Sequence, residues 1–305
     1  MGREEIEVAR RFDLRDVKDL VELRHGELLA LIRAAAVALG LDLPEAEPEP
    51  EPPAQTVGVG GISTPSGPGV TLIDADSNET LKIRESNRVY DGQGHTVKKI
   101  DIRADNVIVQ NFYVRGAGNA GIYSIGNNVT IQNCDIARVD DGGEGDINGI
   151  IFFGDGTRIL FNAIGKSDFL VTGELNGSHT DGIQTWNTPS KRSSSNVEIR
   201  GNHISGPPQS DPRYLHQGVM AEGHHTTDGG GGGTGVSQNW VIEDNYFRTF
   251  GNQCIKLDDI HNVRISGNTF DGACKKIVAT GRLSTGIEFA SDNIITGSYN
   301  STVGD

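Results

Sequence analysis

The sequence predicts an all-β solenoid behind a short N-terminal helix and a Pro-Glu linker, and three observations lead there. Six segments share the form Asn-apolar-x-apolar-x-(x)-Asn or a close variant: NVIVQN (106–111), NVTIQN (128–133), TRILFN (157–162), NVEIRGN (196–202), NWVIEDN (239–245) and NVRISGN (262–268). Each is trailed by another short β-prone run: GIYSI (121–125), GIIFF (149–153), GIQTW (182–186), GVMAE (218–222), CIKLD (254–258) and KIVAT (276–280). The composition agrees: 41 glycines in 305 residues and 6% aromatics suit a turn-rich β chain, while 11 prolines fall short of a disordered one.

Taken in order, the chain divides into residues 1–43, 44–69 and 70–305. The first residues, MGREEIEVARRFD, lack the continuous apolar core and cleavage site of a Sec signal peptide. No stretch approaches the ~18–20 apolar residues of a membrane span. Residues 13–39 read as a helix, with Asp13 at the N-cap, Asp16 in the first turn and Gly40 past the end. Leu14, Val17, Val21, Leu28, Leu31, Ala35 and Ala38 form a stripe that Arg24 interrupts. Such a stripe fits a coiled-coil seam or an amphipathic face docking on something else. The tract PEAEPEPEPP (44–53) cannot form a core. Extended at ~3.1 Å per residue, it spaces the helix from the β-prone remainder of the chain.

From residue 70 onward the unit is strand, Asn turn, strand, loop, strand. The closing Asn residues are 22, 29, 40, 43 and 23 apart, a constant coil with insertions between strands. Such strands bury nothing alone, but coils stacked at ~4.8 Å pair every strand above and below, and Asn at one turn can form an amide ladder. This pattern resembles the right-handed parallel β-helix, the pectate-lyase-like superfold of polysaccharide lyases, polygalacturonases and phage tailspikes, over about residues 70–297. A propeller or sandwich would lack the single alternating strand per turn and the Asn ladder.

Alternation along the third strand of each coil predicts one inward row, Ile122, Ile150, Ile183, Val219, Ile255 and Ile277. The outward ladder is then Tyr123 and Ile125, Ile151 and Phe153, Gln184 and Trp186, Met220 and Glu222, Lys256 and Asp258, Val278 and Thr280. Insertions on both sides make this strip the floor of a groove. Phe153 and Trp186 offer apolar faces beside Gln184, Gln217 and Gln253, a combination suited to a glycan. An exposed face that binds nothing or packs on another subunit is the plainer alternative.

The catalytic candidates are Asp181 and His179 of HTDGIQ (179–184), with Glu222, Asp258 and Lys256 one or two coils away. Two carboxylates flank the bond in most glycoside hydrolases. HTDG is similar to the NTDG of polygalacturonases, and Asp258-Asp259 to their paired aspartates. The family's Asp pair belongs one coil later, where this chain has HQGVM (216–220), and no GHG or RIK element appears. A lyase instead needs a base, for which Lys256 serves, near a Ca2+ that acidifies the uronate. Asp140, Asp141, Glu144 and Asp146 of DDGGEGD supply oxygen ligands for Ca2+, although a solvated acidic loop has the same composition.

Twenty-seven basic against 41 acidic side chains, a net charge of −14, exclude nucleic acid as the expected ligand. Cys134, Cys254 and Cys274 lack disulfide or metal spacing and read as small buried residues. Helix, spacer and solenoid together resemble a phage minor tail or tailspike receptor-binding protein. That resemblance implies a virion location after assembly in the host cytoplasm, a host surface polysaccharide as ligand, a homotrimer, and other tail proteins as partners of residues 1–43. A polysaccharide lyase or glycoside hydrolase, or a non-catalytic structural β-helix, are the competing expectations.

Overall fold

The computed structural model describes residues 58, 60–63, 66–116, 118–139, 146–171, 179–211, 213–226 and 232–304. The helix expected over 13–39, the 44–53 tract and the acidic residues Asp140, Asp141 and Glu144 lie outside them. Among the described residues there is no helix, and so none long and apolar enough to cross a membrane. Val70 begins the first strand, and the chain then runs as a parallel β-helix.

Three sheets form the walls. The first stacks nine strands, from Val70–Leu72 to Thr285–Phe289, and contains all six Asn-flanked segments. The second stacks eight short strands, from Thr96–Val97 to Ile294–Ile295. The third stacks nine: Thr80–Ile83, Lys99–Ile102, Ala120–Ser124, Ile147–Phe152, Thr180–Thr185, Gln217–Glu222, Gln253–Asp258, Ala273–Thr280 and Ser298–Gly304. Neighbours within each sheet are parallel and come from successive coils, so the core is one apolar column. Ile100, Ile122, Ile150, Ile183, Val219 and Ile255 follow one another in register through it.

The sixth coil departs from the expected alignment. Val278, not Ile277, sits opposite Ile255, and Lys256 faces Ala279. Lys276 takes the place opposite Gln253, and the residue after it fills the step that glycine occupies in earlier coils. Val278 is therefore fully buried in the core and leaves the outward ladder.

Asparagine supports the turns in two ways. At the turn into the first sheet, Asn87, Asn106, Asn128, Asn196, Asn239 and Asn262 have φ between 53° and 61°, a left-handed conformation that Asn tolerates. Their amides bond rung to rung, Asn106 to Asn87 at 3.0 Å, Asn128 to Asn106 at 3.0 Å, Asn239 to Asn196 at 3.1 Å and Asn262 to Asn239 at 2.7 Å. The coil of TRILFN has Gly156 at this turn, where a Cβ would stand 2.3 Å from Asn128 Oδ1, and the ladder breaks.

The closing asparagines split into two sets. Asn133 Nδ2 donates to Asn111 Oδ1 at 2.7 Å, and both occupy the left-handed turn position. From the TRILFN coil on, that position belongs to Phe161, Gly201, Asp244 and Gly267, and the Asn comes one residue later. Asn162, Asn202, Asn245 and Asn268 are at most 1% exposed. Each donates Nδ2 to the Oδ1 of the next, ending at Asn293, over 2.9–3.1 Å. Each also donates to a core carbonyl, such as Asn202 to Ile159 O at 2.8 Å.

Glycine sets the way into the third sheet. A Cβ on Gly149 would lie 2.5 Å from Gly182 O, and one on Gly182 would lie 2.7 Å from Gly218 O. Real Cβ contacts are not that short, so these rungs require a residue without a side chain. The residue before each glycine then begins a row of its own: Ala120, Asn148, Asp181 and Gln217, continued by Gln253 and Lys276.

Candidate functional site

The outward face of the third sheet has an apolar and a polar end. Ala120, Ile151 and Phe153 form a cluster separate from the core, with Tyr123 and Trp186 packed against it. Trp186 meets Phe153 edge-on at 4.8 Å, and Tyr123 lies 6.0 Å from Phe153. Lys191, from the loop after Trp186, lies 4.9 Å from the Phe153 ring centre and donates to the Tyr123 hydroxyl. Phe153 is consequently 2% exposed and offers no stacking face, contrary to expectation. Tyr123 and Trp186 remain half-buried at its edges. An open cleft of about 330 Å3 adjoins Tyr123, lined also by Thr80, Lys99, Asp101, Arg103 and Asn119.

At the polar end, Glu222 and Asp258 face one another across adjacent strands. Lys256 Nζ donates to Glu222 Oε1 at 2.7 Å, and the Glu222 side chain is 2% exposed. Gln184 and Gln217 are buried, the former donating Nε2 to Met220 Sδ at 3.3 Å and the latter to Gln253 Oε1 at 3.0 Å. Of the five residues expected to touch glycan, Trp186 and Gln253 are thus the two with appreciable exposure.

Asp181 stands one row over, opposite Gln217. Glu222, expected one or two coils from Asp181, lies five residues beyond Gln217, on the order of 16 Å of extended strand, so the backbone does not set the two carboxylates side by side. Asp181 is completely buried, and Oδ1 accepts the Gln217 N–H at 3.1 Å while Oδ2 has no partner. Burial, reinforced by the Asp146 charge, pushes its carboxyl well above the ordinary range; the Gln217 N–H and Lys256 oppose this, and Glu222 adds slightly to it. Both amide atoms of Asn148, also completely buried, and Oε1 of Gln217 lack partners as well. Each such group costs roughly 1–3 kcal/mol when nothing satisfies it.

His179 lies at the rim, stacked on His216 at 4.7 Å, which in turn meets Tyr214 at 4.6 Å. His216 Nδ1 accepts the Thr180 N–H at 3.1 Å, and burial followed by His179 depresses it to about 4. A neutral imidazole so engaged positions the rim. Exposed Asp146 accepts the His179 N–H on Oδ1 at 3.4 Å. Of the four residues suggested for Ca2+ it alone is described, and among the described residues no three His, Cys, Asp or Glu side chains converge on a metal position.

Asp259, expected as half of an aspartate pair, belongs to a turn with φ 57°. Its Oδ2 accepts the His225 N–H at 2.7 Å and meets His225 Nδ1 at 3.1 Å, while Oδ1 meets His261 Nε2 at 3.2 Å. That carboxylate anchors the loop after Glu222 through His225 and also reaches His261. The three cysteines are buried and free, with Cys134 raised by burial to about 12, so none is a nucleophile.

Among known proteins, no family model matches the chain and no curated protein matches it.

Proposed function

We propose that the outward face of the third sheet binds a polysaccharide, and that the chain is a tail receptor-binding protein of a phage, assembled in the host cytoplasm and acting at the cell surface. The supporting observation is the run of half-buried Tyr123 and Trp186 beside Gln253, Lys256, Glu222 and Asp258 on one face. Aromatic edges stack on sugar faces, and the polar groups meet hydroxyls. A stiff coil stack holds these groups at fixed spacing. In this reading residues 1–43 join the protein to other tail components and to two further copies.

Retention on host cell-wall polysaccharide tests it. Trp186→Ala weakens binding by about 1–3 kcal/mol, as truncation of an aromatic hot spot does; an unchanged affinity removes the groove reading. A second reading, depolymerisation by a lyase or hydrolase, draws on the buried Glu222 paired with Lys256, a proton acceptor and donor on the groove floor. Release of reducing ends or unsaturated uronate that Glu222→Gln abolishes would establish it, and binding without turnover would leave the protein a pure receptor binder.

A further inference from the structure

We propose that Asn148, Asp181 and Gln217 hold one divalent, oxygen-preferring cation of the Ca2+ type on the outward face of the third sheet. These residues are successive rungs, Asn148 opposite Asp181 and Asp181 opposite Gln217. Their exposures are 0%, 0% and 6%. Each presents an oxygen without a protein partner, Asn148 Oδ1, Asp181 Oδ2 and Gln217 Oε1. Rungs ~4.8 Å apart bring side-chain oxygens of one row within reach of a single ion that takes ligands at about 2.3–2.6 Å.

The surroundings fix both position and chemistry. Asp181 Oδ1 is committed to the Gln217 N–H, and Gln217 Nε2 to Gln253 Oε1, which leaves the opposite oxygen of each group for the ion. Two amide oxygens and a carboxylate form a hard donor set that suits Ca2+ or Mg2+ and not zinc. The nearby imidazole of His216 is engaged with the Thr180 N–H. Charge points the same way. Among the described residues Lys256 is bonded to Glu222 and exposed Asp146 lies at the rim, so the Asp181 oxygen has no protein cation as its partner. Asn148 Nδ2, also unpartnered, donates to a water in the shell that Ca2+ retains. Glycan binding is independent of this site, so either inference stands if the other fails.

The test is calorimetric titration of the full chain with CaCl2 after dialysis against EDTA, with melting followed in parallel. One ion binds per chain and the melting temperature rises. Asp181→Asn and Gln217→Met, both close in volume to the native residue, each weaken binding at least tenfold, while the Asp140→Asn/Asp141→Asn double variant binds as wild type. Circular dichroism identifies a variant that fails to fold, and the other of the pair then carries the comparison. The proposal is overturned if wild type shows no saturable binding of Ca2+, Mg2+ or Mn2+, if the folded Asp181→Asn or Gln217→Met protein binds as wild type, or if the double variant abolishes binding and so places the ion in the acidic loop.

Discussion

A single asparagine can do two different jobs in this chain, and the difference is measurable. Asn202 is buried and bonded on both sides, accepting from Asn162 and donating to Asn245 and Ile159. Replacing it with Ala orphans several buried groups at once, so urea unfolding of Asn202→Ala should show a loss of at least ~2 kcal/mol. Asn239 is exposed and holds φ 61°, which glycine tolerates, so Asn239→Gly should cost under ~1 kcal/mol. Equal losses would mean that ladder position does not matter. His203 supplies one part of the acid sensitivity and His216, held equally low, another. Burial, then Lys166 and Arg248, hold His203 down to about 4, against 6.5 for a free imidazole. As pH falls the unfolded chain takes up the proton first, so the stability contributed by the neutral ring is complete above about 6.5 and is lost progressively towards 4. Melting followed across that window should fall less steeply in His203→Gln than in wild type.

At the scale of the element, the glycine stack governs the third sheet. Gly182→Ala would press a methyl to 2.7 Å from Gly218 O and 2.6 Å from Ile204 Cγ2, costing about 1–3 kcal/mol by overpacking in chemical denaturation. This stack also explains what was legible in the sequence. Period-two alternation and paired asparagines located the strands of the first and third sheets, because those signals are local. The row Asn148, Asp181, Gln217 did not emerge as a unit, since counting strands from the glycine hides the residue before it. The recurrent N-G-I, D-G-I and Q-G-V triplets carried that signal. Burial of Phe153 was not legible, because Lys191 reaches it from a loop 38 positions downstream whose path no periodicity encodes. The shift at Val278 was missed for a related reason: two adjacent apolar residues, Ile277 and Val278, both enter the core, and alternation permits only one.

For the molecule as a whole, stability is passed from coil to neighbouring coil. The last coil leaves Ile294 56% and Ile295 43% exposed, whereas the middle coils bury nearly every apolar side chain. Amide exchange should therefore be fastest at Ile294–Ile295 and Ser298–Gly304 and slowest at Thr180–Thr185 and Gln217–Glu222; uniform protection would indicate all-or-none unfolding. The two asparagine systems add a consequence of their own. The outer ladder stops at Gly156, and the inner ladder starts afresh at Asn162, so a single coil interrupts both. The ties across that coil are backbone ladders, bonds between side chain and main chain such as Cys134 N–H to Asn162 Oδ1 at 2.9 Å and Asn162 Nδ2 to Ile131 O at 3.0 Å, and side-chain pairs such as Ser167 with Asp135 and Arg158 with Glu198. This seam is therefore a step in the stack that, among the described residues, no asparagine-to-asparagine bond crosses. It is also the joint at which one half could be exchanged for another without mismatching a run of amides.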